Sequence, residues 1–253
     1  MLIDTHCHLY LEEFDHDREE MIKRAMEAGV DRFYLPAVDS TTTAAMLRLE
    51  AQYPGVCIPM IGLHPCSVKA SYEDEMGLIC KWLTDRKFAA IGEIGLDFYW
   101  DKTFMKEQYE VFNKQIELAI ENNLPIVIHT RNAMAETIDV VNNYKGRVKG
   151  IFHCFGGSLE EANRIIDLGF YMGIGGVVTY KKSGLAEVIK EIDLEYLVLE
   201  TDAPYLTPVP FRGKRNESSY LVYIQEKIAE VKGTTLEEVA RITTANALKI
   251  FAH

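Results

Sequence analysis

The amino-acid sequence predicts an α/β chain folded as a single (β/α)8 TIM barrel, and three observations carry that prediction. Short apolar segments rich in β-branched residues alternate with amphipathic, helix-like segments, the pattern of parallel strands joined by helical crossovers. Eight such strand segments can be counted in 253 residues, and eight strands close this barrel at a typical length of about 250 residues. Metal-ligating residue types stand at the C-terminal ends of those segments, where the active sites of such barrels lie. One domain over residues 1–253 is expected, because no Pro/Gly/Ser-rich linker, low-complexity tract or run of like charges divides the chain.

The strands are expected at Leu2 to His6, Arg32 to Ala37, Val56 to Gly62, Phe88 to Glu93, Pro125 to His129, Val148 to His153, Phe170 to Ile174 and Tyr196 to Glu200. Between them, Lys106 to Glu121 repeats Tyr109, Phe112, Ile116, Ala119 and Ile120 at three- and four-residue steps, one buried helical stripe. Ser158-Leu159-Glu160-Glu161 reads as a capping box that starts the sixth helix, and Gly169 as its stop. Thr234-Thr235-Leu236-Glu237 opens a last helix in the same way.

With 48% hydrophobic and 26% charged residues the composition is that of an ordinary globular protein. No apolar run approaches the roughly 18 residues of a membrane span, and the N-terminus lacks the basic and apolar regions of a secretory signal, so a cytoplasmic protein is expected. Five scattered cysteines without a CxxC fit reduced thiols and argue against a four-thiolate zinc site. A net charge of −11 argues against gripping long nucleic acid by neutralising many phosphates. It leaves a phosphate-containing substrate open, because divalent ions would place positive charge where the phosphate sits.

The chemistry is read from the strand ends. His6 and His8 end or follow the first strand, Glu93 ends the fourth, His129 the fifth and His153 the sixth, and Asp202 lies just past the eighth. His64 follows the third. Residues two apart on extended backbone share a face, so His6 and His8 can clamp one ion while Cys7 points away. The same alternation turns Cys154 away from His153, which excludes both thiols as ligands. Four imidazoles and two carboxylates suffice for two ions, with Glu93 as the bridge and Asp202 left to accept a proton. Taken singly, a barrel histidine such as His64 has a hydrogen-bonded structural reading, and Glu93 one as a helix cap or partner of an arginine. Four of seven histidines meeting two acids at inward strand ends is hard to obtain from structural needs alone. His16 and His253 fall outside the pattern and are expected on the surface.

Asp4-Thr5-His6-Cys7-His8-Leu9, Gly62-Leu63-His64-Pro65, Gly92-Glu93-Ile94-Gly95-Leu96-Asp97, Ile128-His129-Thr130-Arg131, His153-Cys154-Phe155-Gly156-Gly157, Glu200-Thr201-Asp202-Ala203-Pro204-Tyr205-Leu206, Arg212-Gly213-Lys214-Arg215-Asn216-Glu217 and Thr244-Ala245-Asn246-Ala247 occur in that order. Over essentially the whole chain these blocks resemble the TatD family of metal-dependent deoxyribonucleases, among the amidohydrolase-like barrels. The resemblance implies that His6, His8, Glu93 and Asp202 hold one ion and Glu93, His129 and His153 the other, with Glu93 where related barrels carry a carboxylated lysine. The family's Asn-Glu-Pro step reads Asn216-Glu217-Ser218 here.

The function expected is a divalent-metal-dependent deoxyribonuclease that hydrolyses phosphodiester bonds of single-stranded DNA from 3′ ends, with no membrane and no obligate protein partner. Two divalent ions are implied, magnesium or manganese for nuclease activity, with zinc as the alternative that imidazole-rich sites suit. His64, Arg131 and Arg212 are the candidates for holding the phosphate. Arg131 has a competing reading as a structural ion pair, and Arg212 with Lys214 one as solvated loop charge. Phe98, Tyr99 and Trp100 either stack on a terminal base or pack the barrel mouth. The alternatives are cleavage of an aminoacyl-tRNA ester, an amide or a phosphotriester on the same site, and a non-catalytic metal-binding scaffold.

Overall fold

The computed structural model describes residues 1–252, which excludes His253 and the expectation placed on it. Strands β1 (Leu2–Asp4), β2 (Val30–Leu35) and β3 (Cys57–Pro59) pair in parallel as one arc, and β4 (Ile91–Asp97), β5 (Ile126–Arg131), β6 (Gly150–Phe152), β7 (Tyr171–Ile174) and β8 (Leu197–Leu199) as a second. A parallel bridge between Ile61 and Ile91 joins the arcs on one side. On the other, Thr5 N donates to Leu199 O at 3.0 Å, Asp202 N to His6 O at 2.9 Å and His8 N to Ala203 O at 2.8 Å. The eight strands thus form a closed barrel, and its β1/β8 seam is made by segments that carry three of the expected ligands.

Helices α1 (Arg18–Glu27), α2 (Ser40–Gln52), α3 (Tyr72–Asp85), α4 (Met105–Glu121), α5 (Met134–Asn142), α6 (Leu159–Asp167), α7 (Leu185–Lys190) and α8 (Leu221–Lys232) follow the strands in turn, and α9 (Leu236–Ile250) closes the chain. The Ser158 capping box is present, with Glu161 bonding back to the Ser158 backbone, and Gly169 takes the left-handed conformation that stops α6. At α9 the cap is Thr235 rather than Thr234: its side chain accepts from Glu238 N.

Two expectations need correction at the level of packing. β4 continues through Asp97, four residues beyond its expected end, because Gly95 lets the neighbouring strand approach. A Cβ on Gly95 would lie 1.9 Å from His129 O. On α4, the buried face includes Gln108 and Gln115, which an apolar periodicity does not reveal. Gln115 exchanges hydrogen bonds with the Leu63 backbone, donating at 3.1 Å and accepting at 2.7 Å. Gln108 does the same with Asp97, at 3.2 and 2.9 Å. Two buried amides therefore fix the segments that present His64 and Asp97.

The interior of the barrel below the site is apolar. Ile3, Tyr34, Met60, Val127, Ile151 and Val198 meet Ala247, Ile250 and Phe251 from the end of α9 in one buried cluster. Among the described residues no helix is long and apolar enough to cross a membrane.

Candidate metal centre

Glu93 stands at the middle of the centre, and its two carboxylate oxygens face different sets of imidazoles. Oε1 lies 2.8 Å from His153 Nε2, 2.9 Å from His129 Nδ1 and 3.4 Å from His64 Nε2. Oε2 lies 3.2 Å from His6 Nε2 and 3.5 Å from His8 Nε2. Asp202 Oδ1 completes the second side at 3.7 Å from each of His6 and His8. The six residues expected from the strand ends therefore converge, from five strands, on one point. Burial alone would raise the Glu93 carboxyl, but the imidazoles of His153, His64 and His6 outweigh it and hold the group well below the usual carboxylate range.

The donor set fits divalent cations. Three groups have ligand atoms within 4.8 Å of one another: His6, His8 and Glu93; His64, Glu93 and His129; His6, His153 and Asp202. Both nitrogens of the fully buried His6 lack a hydrogen-bond partner, because the contact to Glu93 has no hydrogen-bonding geometry. Leaving such a group without a partner costs about 1–3 kcal/mol, a cost that an ion bound to the lone pair removes. Buried His/Glu clusters sharing one carboxylate are the arrangement of a binuclear site.

Neighbouring groups aim the rings, as partners behind metal-binding histidines do. Tyr10 donates its hydroxyl to Pro36 O at 2.6 Å, so its oxygen accepts from His8 Nδ1 at 3.0 Å. That places the proton on Nδ1 and leaves the His8 Nε2 lone pair facing Glu93. His129 Nε2 lies 3.0 Å from Asp97 Oδ2, which leaves Nδ1 for the centre. His153 Nδ1 lies 3.5 Å from Glu200 Oε1, the oxygen that also accepts from Cys154 N at 2.6 Å.

His64 is oriented the other way. Its Nδ1 accepts from Cys66 N at 3.0 Å, so the neutral ring carries its proton on Nε2, which faces Glu93 Oε1 at 3.4 Å and His129 Nδ1 at 3.3 Å. Asp97, Tyr10, Glu200 and Gln115 were not anticipated as parts of the site. Asp97 was within reach of strand logic, since it lies an even number of residues beyond Glu93.

Asp202 has a left-handed backbone, φ 56°, in the turn that crosses the β1/β8 seam. Burial pushes its carboxyl up to about 6, with His153 and His8 pulling in the opposite direction. Beneath it, the buried Asp4 carboxylate accepts from Thr201 N at 3.0 Å, Thr201 Oγ1 at 2.6 Å and Ser218 Oγ at 2.7 Å. Ser218 supplies a hydroxyl to this network. Asn216 Nδ2 donates to Thr201 O and Tyr205 O at 2.8 and 2.6 Å, and Glu217 pairs with Arg24 at 2.7 Å. The loop is held at all three positions.

These groups open into a cavity of about 780 Å³ that His64, Arg131, Trp100, Cys154, Asp202 and Tyr205 help to line. Several expectations are revised there. Cys154 is part of the wall: β6 has ended, and a backbone φ of 49° replaces strand alternation. Its thiol is nevertheless outside the clustered ligand groups, and Cys7 is buried with Sγ on Tyr34 O. Among the described residues the Arg131 guanidinium pairs with no carboxylate; it lies 3.9 and 5.0 Å from the ring centres of Tyr99 and Trp100.

Arg212 is displaced from the centre. It is exposed, 4.4 Å over the Tyr180 ring, and lines a separate depression with Lys181 and Lys182, because the loop after β8 folds toward β7. Phe98 is buried in the core, leaving Tyr99 and Trp100 exposed. His16 is exposed, as expected.

Residues 3–252 match the family model described as TatD related DNase. A metal-dependent hydrolase of Bacillus subtilis (strain 168), uncharacterised, is 44% identical over 99% of both chains. A protein of Pantoea ananatis (strain LMG 20103) described as 3′-5′ ssDNA/RNA exonuclease TatD is 32% identical over 99% of both. The crystal structure of the TatD homologue YjjV from Escherichia coli K12 superposes with a TM-score of 0.93 at 30% identity, covering 100% of this chain and 98% of that one. A closed parallel barrel with a carboxylate shared between two imidazole clusters, and these matches over the full length, lead to one conclusion: the chain is a metal-dependent hydrolase and belongs to the TatD-related DNase family.

Proposed function

We propose that this chain, as a single hydrolase domain, is a phosphodiesterase that removes nucleotides from 3′ ends of single-stranded DNA, with His6, His8, Glu93, His129, His153 and Asp202 holding two divalent ions, magnesium or manganese in preference to zinc. The observation that carries the reading is the division of Glu93, one oxygen toward His129 and His153 and the other toward His6 and His8. The Pantoea ananatis relative described as an exonuclease supports the choice of substrate. Ions held there would lower the pKa of water and neutralise charge on a phosphoryl group, as paired metals do.

The chain's own groups then have defined work. Asp202, on the His6/His8 side of Glu93 at 3.7 Å from both rings, accepts the proton of the attacking water. His64 lines the cavity with its proton on Nε2, beside Glu93 Oε1 and His129 Nδ1, and donates it to a phosphoryl oxygen when substrate enters. Arg131, unpaired with any described carboxylate at the cavity wall, holds a second oxygen. Arg212 has no part in this step, since it lines a different depression.

The test is release of 5′-mononucleotides from oligonucleotides with free or blocked 3′ ends, across magnesium, manganese and zinc, beside aminoacyl ester, amide and phosphotriester substrates. Mononucleotide release that a 3′ block prevents, lost in Asp202→Ala, is the expected result. No DNA hydrolysis with any divalent ion, while one of the other substrates turns over, overturns it.

A further inference from the structure

Trp100 is the most exposed large hydrophobic side chain described, at 67%, with its neighbour Tyr99 at 50%. Exposed tryptophan forgoes the burial that usually places it in cores or interfaces, yet this pair is rigidly built. Asp97 Oδ1 accepts from both Tyr99 N and Trp100 N, at 2.9 and 3.1 Å, while Oδ2 of the same carboxylate holds His129 Nε2 at 3.0 Å. One side chain thus ties the aromatic turn to the metal centre.

The two rings stand perpendicular, 4.9 Å apart at 87°, and the Arg131 guanidinium fills the corner between them, a cation–π contact that leaves N–H donors available. Trp100 and Arg131 line the same cavity as Glu93 and Asp202. A chain of net charge −11 cannot bind a polyanion by general attraction, so affinity has to come from local contacts, and stacking on a ring is available to every base.

Resting on the nuclease reading above, we infer that Trp100, backed by Tyr99 and Arg131, is a stacking platform for one base of a single-stranded polynucleotide beside the metal centre. Trp100 is then a determinant that distinguishes a base-bearing strand from a bare phosphodiester, without preference for base identity.

Two measurements test this. In the metal-loaded enzyme, oligonucleotides carry one abasic tetrahydrofuran residue at each of the last three 3′ positions in turn. The wild type should lose about 5- to 100-fold in kcat/KM at one position. Trp100→Ala should lose a similar factor on intact DNA and show no further abasic penalty; Trp100→Phe should restore most of the difference. In Trp82→Phe, Trp100 is the remaining tryptophan, and phosphorothioate (dT)4 should quench its fluorescence while an abasic tetramer does not.

Equal and measurable wild-type rates on intact and abasic DNA, an unchanged abasic penalty in Trp100→Ala, or no quenching by (dT)4 would overturn the platform. Quenching by (dT)4 and not by the abasic tetramer, with no hydrolysis of unmodified DNA under any divalent ion, would leave the platform standing and bring down the nuclease reading instead.

Discussion

The two ends of the barrel are built from the same strands and obey opposite rules. At the N-terminal end the interior is filled by side chains that pack: Tyr34 stacks on Phe251 at 3.8 Å and 16°, and Asn246 locks α9 in place by donating to Leu194 O and Leu197 O, both at 2.8 Å. At the C-terminal end the interior is filled by imidazoles and carboxylates, among which both nitrogens of His6 and Nδ1 of His153 lack a hydrogen-bond partner.

The change happens within one step of strand alternation. Val127 is followed two residues later by His129, Ile151 by His153, and Val198 by Glu200. Each pair shares the inward face, so an inward column turns from apolar to polar over about 7 Å. Stability and chemistry are thereby separated by position along the strand. Substitutions at one end should be felt there and little at the other.

The largest departure is expected from Glu93→Gln. Replacing an oxygen that faces one cluster should lower hydrolysis by about 1000-fold or more, beyond the loss of a single charge-stabilising donor, and reduce bound metal at both positions. Elemental analysis together with kcat measures it; two ions retained at full affinity would break the assignment of Glu93 as the bridge.

Phe251→Ala is the converse experiment. It should cost about 3–5 kcal/mol in denaturant unfolding, the range for large-to-small changes in a packed core, while kcat of the folded fraction stays within about twofold. A loss of kcat without loss of stability would show that the two ends are coupled.

A smaller effect is expected from Asp97→Asn, which leaves the ring of His129 free to turn. Metal affinity should fall about 10- to 100-fold, read by competition with a chelating dye, with far less change in melting temperature when metal is removed.

The smallest concerns the rim of the catalytic end, where Arg215 pairs with Asp17 at 2.6 Å and Arg24 with Asp17 at 3.0 Å. These contacts, the Arg215 hydrogen bonds first, hold Asp17 down to about 2. A carboxyl lowered on folding adds stability above its unfolded value near 4, which is lost as pH falls from about 4 to about 2. Solvent around this partly exposed group limits the contribution to under about 1 kcal/mol. The stability difference between wild type and Asp17→Asn should vanish over that window, and a difference independent of pH would rule out the ion pairs as its source.

Much of the site could be read in advance because the residues that converge there follow the strand period. His129 and His153 end or follow recognisable apolar segments, and His6 and His8 sit two apart on extended backbone. Asp97 and Glu200 escaped although they follow the strand period; the rest of what escaped had none. Gln108 and Gln115 are polar residues on a buried face, and Tyr10 and Cys66 act through atoms of distant or local backbone. Arg212 and Cys154 were misplaced because both lie in loops, where alternation stops and backbone dihedrals decide direction.

The sequence by itself determined the alternation of strands and helices, the eightfold count and the six side chains that meet, because each of these is written in spacing and residue type. The tertiary structure alone decided which oxygen of Glu93 faces which imidazoles, which nitrogen of each ring is free, and where the loop cations lie. Those properties depend on hydrogen bonds between residues far apart in the chain, whose direction no local pattern encodes.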